Sequence, residues 1–196
     1  MKKIIFAIAL LSGIYGESYC QTTSHDVSIV IPAVTMIRIS PTTGNTKTLT
    51  YSAPTTAGDP ITGAVATGAD LYLQYSSIMG SAVTDRKIYV TAATSSTLVN
   101  GLNVKVAAAT PSSGTGVVGT TTGAQVVLAP NQTLASGTTV KVLDGITSCY
   151  TGTGATDGSL LTYTSDVLPA TLSSAQYGAL RAGTYTLTVT YTLADN

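Results

Sequence analysis

An all-β, antiparallel fold is what this sequence predicts, and three observations carry the prediction. The last patterned stretch alternates without a fault: Tyr185, Leu187, Val189, Tyr191 and Leu193 are apolar, and every residue between them is Thr. Period-two alternation sends the apolar side chains to one face of a strand and the hydroxyls to the other. Short apolar runs recur along the rest of the chain, separated by Gly, Pro, Asn and Asp turn signals. Composition agrees, since Thr, Val and Tyr suit a pleated, half-buried surface and charged residues make up only 9% of the chain.

In chain order, residues 1–20 read as a signal peptide rather than as part of the fold. Lys2 and Lys3 form a basic start, and residues 4–14 are an apolar run too short to span a bilayer. Ser18 and Cys20 are the small residues of a cleavage site before Gln21. A rival reading makes Cys20 the acylated residue of a lipoprotein, which Glu17 and Tyr19 fit poorly. Export is implied either way, and residues 21–196 are expected to form a single β domain. Removing the leader takes away the only Phe (Phe6) and the only Glu (Glu17), leaving seven Lys and Arg against eight Asp, a formal charge of −1. With no basic patch to hold phosphates, nucleic acid is not an expected partner. No second apolar run is long enough to cross a membrane as a helix.

Residues 26–31 alternate, with Val27, Ile29 and Ile31 on one face, until Pro32 removes a ladder donor. Residues 34–39 resume the extended pattern, so this is one long kinked strand or two short ones. Turn chemistry at 41–47 precedes a strand at 48–52, and a loop at 54–60 precedes a weaker strand at 64–67. Leu71, Leu73 and Tyr75 share one face of the next strand, and 87–91 follows after Asp85 and Arg86. Asn100 and Gly101 signal a turn into 102–106. Residues 111–123, rich in Gly, Ser and Thr, are expected to be a surface loop. Strands follow at 125–128 and 138–143, and Asp144-Gly145 predicts a hairpin into 146–150. A Gly-rich loop at 152–159 leads to a strand at 160–164. A helical turn fits only 172–180, where Ser173 can cap it and Gly178 weakens it. Nine to eleven short strands with almost no helix argue for a sandwich of immunoglobulin type, with a closed barrel as the alternative.

The chemistry that is missing narrows the function. His25 stands in the polar lead-in to the first strand, not where a catalytic imidazole would be held. Asp59, Asp144 and Asp157 each precede Pro or Gly and read as turn residues, and without Glu no facing pair of carboxylates is expected. Cys149 is alone once Cys20 is removed, so no internal disulfide is expected and a small buried hydrophobe is the simplest reading. There is no calcium loop, zinc cluster or phosphate-binding glycine loop. No enzyme, metal or cofactor is expected. Leu168 to Leu172 is faintly like a sorting signal but lacks the segments that would follow one. Tyr72, Tyr75, Tyr89, Tyr150, Tyr163 and Tyr177 could stack on sugars, but without Trp they must also serve as the large core residues.

An exported all-β chain that opens on an alternating segment and closes on Gly183, Tyr185 and an alternating strand resembles fimbrial, pilin-like subunits. Both chaperone–usher pilins and spore-coat-U-like proteins share these features, and Gly183 stands fourteenth from the end, where such pilins carry glycine. Asp195 replaces their penultimate aromatic, and the N-terminal cysteine of many of them is missing. The resemblance implies a non-enzymatic surface subunit of a Gram-negative-type bacterium, assembled or adhesive. It also implies an incomplete sandwich finished by a neighbour's strand. Val27, Ile29 and Ile31 would be the donor, and Gly183, Tyr185, Leu187, Val189 and Tyr191 would belong to the acceptor strand. The same donor residues could equally be the first strand of their own domain. Expected partners are further copies or other surface subunits. The other reading is a monomeric secreted module that binds glycan or a host protein.

Overall fold

The computed structural model describes residues 22–94, 104–121, 126–128, 140–165 and 172–196. The chain divides into two units, Met1–Ile31 and Pro32–Asn196. In the first, the described residues 22–31 contain neither helix nor strand, and Val27, Ile29, Val30 and Ile31 are exposed. The alternation expected to make a strand here does not make one. Extended backbone becomes a strand only against a partner ladder, and Pro32 cannot donate to one.

The second unit is an antiparallel β-sandwich. Its strands are β1 (Val34–Ser40), β2 (Thr48–Ser52), β3 (Thr62–Thr67), β4 (Leu71–Ile78), β5 (Arg86–Thr94), β6 (Val104–Ala108), β7 (Thr115–Thr121), β8 (Val126–Leu128), β9 (Val140–Tyr150), β10 (Ser159–Ser165) and β11 (Leu187–Asp195). One short helix, α1 (Ser174–Gly178), falls where the sequence places it. Ser173 and Gln176 form a capping box that satisfies its first turn.

Hydrogen bonding runs β11-β5-β9-β4-β10-β6-β8, with β1 on β4 and β7 on β9, while β2 and β3 form a separate ribbon. β9 pairs with β5 from Val140 to Ile146 but meets β4 only at Cys149 and Tyr150. The path turns a corner there, which folds β1, β4, β10, β6 and β8 over β11, β5, β9 and β7. Both layers bury side chains in one core: Leu71, Leu73, Tyr75, Val106 and Leu161 from the first, Ile88, Val90, Leu143, Ile146 and Leu193 from the second.

Two loop expectations are corrected. Residues 115–121 are not a loop but β7, paired with β9 from Thr115 to Thr121. Asp144-Gly145 is not a hairpin either. β9 runs through it as a bulge, with an extra residue between the partners of Arg86 and Ile88, and Gly145 takes a φ of 67°. Asn100-Gly101 and residues 168–171 lie outside the described residues, as do the leader and Cys20.

Candidate functional site

An open groove of about 260 Å³ runs between β1 and β11, lined by Ile37, Arg38, Ile39, Leu73, Val189, Thr190 and Tyr191. Its origin lies in the alternation of the two edge strands. On β11 the odd positions Leu187, Val189 and Tyr191 turn inward and are half-buried, while Leu193 is fully covered. On β1, Ile37 and Ile39 pack against the same core, and Leu73 of β4 forms the floor. Among the described residues β1 pairs only with β4 and β11 only with β5, so each presents one unpaired edge. A row of unpaired N–H and C=O groups above an apolar floor is a template for an added strand.

Buried Arg86, which is not among the lining residues, ties the start of β1 to the end of β11. Its Nε donates to the Asp195 carboxylate at 2.6 Å, and its Nη1 to the Val34 carbonyl and to Ser77 Oγ, the latter at 3.1 Å. Those bonds satisfy a guanidinium that would be costly to bury alone. They also hold the start of β1 beside the end of β11, so the two edges leave that corner in opposite directions. On the wall of the groove, the hydroxyls of Tyr191 and Tyr163 are hydrogen-bonded at 2.9 Å. Burial pushes both phenols above the ordinary tyrosine value.

Of the residues singled out from sequence, Leu187, Val189 and Tyr191 lie on β11, the latter two facing the groove. Gly183 and Tyr185 precede the strand, which begins at Leu187. The Tyr185 hydroxyl donates to the Arg181 carbonyl at 2.9 Å, a local bond that turns the side chain back on its own loop. A Cβ at Gly183 would sit 3.9 Å from the Tyr185 ring, an ordinary contact, so space does not demand glycine there. Val27, Ile29 and Ile31 are 72 to 84% exposed. The pattern of the sequence does not assign Ile37, Arg38, Ile39 and Leu73 to the groove. Ile37, Ile39 and Leu73 stand on alternating faces visible in the sequence, whereas Arg38 reads only as the one charge of its strand.

The remaining candidates are not among the residues that line the groove. Cys149 is buried and unbonded, and burial raises its thiol pKa. His25 lies in residues 22–31 and is exposed. Lys141 and Asp144 form a surface ion pair, which raises the pKa of the amine and lowers that of the acid. Tyr75 is core, and Tyr177 accepts from the Ile61 amide at 3.3 Å, whereas Tyr150 is 54% exposed. No group of three metal-ligating side chains occurs among the described residues, nor any helix long and apolar enough to cross a membrane. A scan against protein-family models, a search of curated proteins and a search of solved structures each returned no match.

Proposed function

We propose that this chain is a non-enzymatic, exported cell-surface subunit that assembles by strand addition, residues 26–31 of one copy filling the groove of the next. The observation that carries this reading is a pair of facts about one molecule. It has an apolar groove between two unpaired strand edges, and it has an exposed segment with Val27, Ile29 and Ile31 at strand spacing.

Magnitudes favour a ladder as the decisive contribution. Burying three such side chains contributes about 5 kcal/mol, and ordering six residues costs about as much. The surplus comes from backbone hydrogen bonds to both edges and from covering the half-buried Val189 and Tyr191 of the acceptor. Surface adhesion or a fimbria-like fibre is the cellular role such assembly serves. Exposed Tyr150 supports a second reading, a monomeric module that stacks on a glycan ring.

Light scattering on the exported protein tests the first. The full chain should form linear oligomers, and a variant lacking residues 22–31 should be a folded monomer. A peptide of residues 24–32 should then raise the melting temperature of that variant. A full chain that stays monomeric and melts with the deletion variant would overturn strand addition.

A further inference from the structure

We infer that Asp144 is a site of spontaneous covalent modification. Its side chain closes on the Gly145 amide nitrogen to a succinimide that reopens as isoaspartate, while the identical Asp157-Gly158 dipeptide is held out of that reaction. The inference goes beyond the assembly reading and stands whether or not copies add strands to one another.

The reaction needs no partner but water. The Gly145 nitrogen bonds to the Asp144 side-chain carboxyl carbon and a carboxyl C–O bond breaks. The oxygen leaves as water with the amide and carboxyl protons. Water then adds back at one of the two ring carbonyls. Opening at the side-chain carbonyl restores aspartate, and opening at the main-chain carbonyl leaves the chain running through the side chain. A following glycine leaves room for the ring because it has no Cβ. Both Asp-Gly pairs meet that requirement, so their surroundings decide between them.

At Asp144 the bulge in β9 sets up the approach. Asp144 faces Thr120, and Ile146 faces Val118 and Arg86, but Gly145 has no partner in either register. An unpaired bulge residue keeps its N–H out of the ladder, and here that N–H donates to Asp144 Oδ1 at 2.9 Å. Nucleophile and electrophile are thus already in contact, the condition that turns proximity into rate. Gly145 has a φ of 67°, with open space where a side chain would stand. The Asp144 side chain is 34% exposed, so water reaches the ring. Asp157 is the opposite case. Its Oδ2 accepts from the Gly154 amide at 2.6 Å, and the Gly158 amide donates instead to Ser113 Oγ at 3.2 Å. The Gln74 side chain holds the Asp157 carbonyl at 3.1 Å, and the Leu73 carbonyl fills the space beside Gly158.

Charge sets how fast Asp144 reacts at a given pH, since a carboxylate anion resists attack and the neutral acid accepts it. Lys141 of the same strand and Lys87 of β5 are the cations beside the group. Tyr89 of β5 and Asp85 just before it act on Lys141, and β7 brings only uncharged residues. The hydrogen bond from Lys141 lowers the Asp144 pKa, so less of the reactive acid is present at any pH. Lys141 therefore slows the modification that the bulge permits.

Peptide mapping of the full exported protein after ageing at about pH 5 tests this. Isoaspartate is read by enzymatic methylation and by shifted elution at unchanged mass, and succinimide by the loss of one water. Folded protein should carry about ten-fold more of both at Asp144 than at Asp157, and the two sites should react alike in urea. Equal modification in the folded protein, or none at Asp144, would overturn the inference. Lys141→Met should raise the rate at Asp144 about three-fold while leaving Asp157 unchanged. An unchanged or slower rate would remove Lys141 from the account.

Discussion

Tyr191 illustrates how one side chain serves both the core and the groove. Its ring lines the groove on β11, and its hydroxyl reaches Tyr163 of the opposite layer at 2.9 Å. Tyr75, buried in β4, donates its hydroxyl to the Val118 carbonyl. Burial raises the pKa of all three phenols, so the folded state holds their protons past the ordinary value near 10. Above that pH the unfolded chain binds fewer protons than the folded one, and stability falls as pH rises. This contribution is fully present below about pH 10. Urea titrations from pH 8 to 11 should show constant stability followed by a decline, and Tyr191→Phe should soften the decline. A stability curve flat through pH 11 in the parent protein would contradict it. The sequence had these tyrosines as large core residues in a chain without Trp, and that is where Tyr75, Tyr163 and Tyr191 stand. It could not tell that Tyr150, on the same kind of alternating strand, faces outward, because the face depends on which strand lies opposite.

Among elements, β7 was the least legible. Its sequence is Gly- and Thr-rich and lacks the apolar alternation that marks β11. What makes it a strand is backbone closeness rather than side-chain burial. Gly116 has a φ of 87°, and a Cβ there would fall well inside contact distance of the Ser148 carbonyl oxygen. At Gly119 an added Cβ would stand 2.6 Å from Ile146 Cγ1 and 2.7 Å from the Asp144 carbonyl. Composition alone gives the same signal for such a strand as for a loop. The Asp144-Gly145 dipeptide misled for a related reason, since a left-handed glycine serves a bulge as well as a hairpin turn. The two glycine roles separate under mutation. Gly116→Ala combines backbone strain with a clash against main-chain atoms and should cost about 3 kcal/mol in chemical denaturation. Gly145→Asn keeps a residue that tolerates this conformation in open space and should cost under about 1 kcal/mol. Equal costs at the two sites would refute the close-approach account of β7.

At the scale of the whole molecule, alternation legible in the sequence accounts for β11, whereas the same alternation at Val27, Ile29 and Ile31 forms no strand in the structure. It did not show that the first strand of the sandwich begins only at Val34, because extended pattern and paired strand look alike until a partner is present. The open groove between β1 and β11 is a property of two edges far apart in sequence, so no local pattern marks it. Two substitutions now divide its halves. Ile29 is 84% exposed, so Ile29→Asp should leave the subunit's stability within about 0.5 kcal/mol of the parent while spoiling its donor segment. Val189 faces the core, so Val189→Asp should cost about 2 kcal/mol and spoil the acceptor. Each variant alone is then expected to be monomeric, with circular dichroism confirming that Val189→Asp remains folded. Mixed in equal amounts, they retain one good donor and one good acceptor between them. The intact segment of Val189→Asp should enter the intact groove of Ile29→Asp and stop, because the pair's remaining donor and remaining acceptor are both damaged. Native mass spectrometry should therefore find a heterodimer and nothing longer. Long mixed oligomers would place assembly on another surface, and two monomers that ignore each other would leave the groove without this partner.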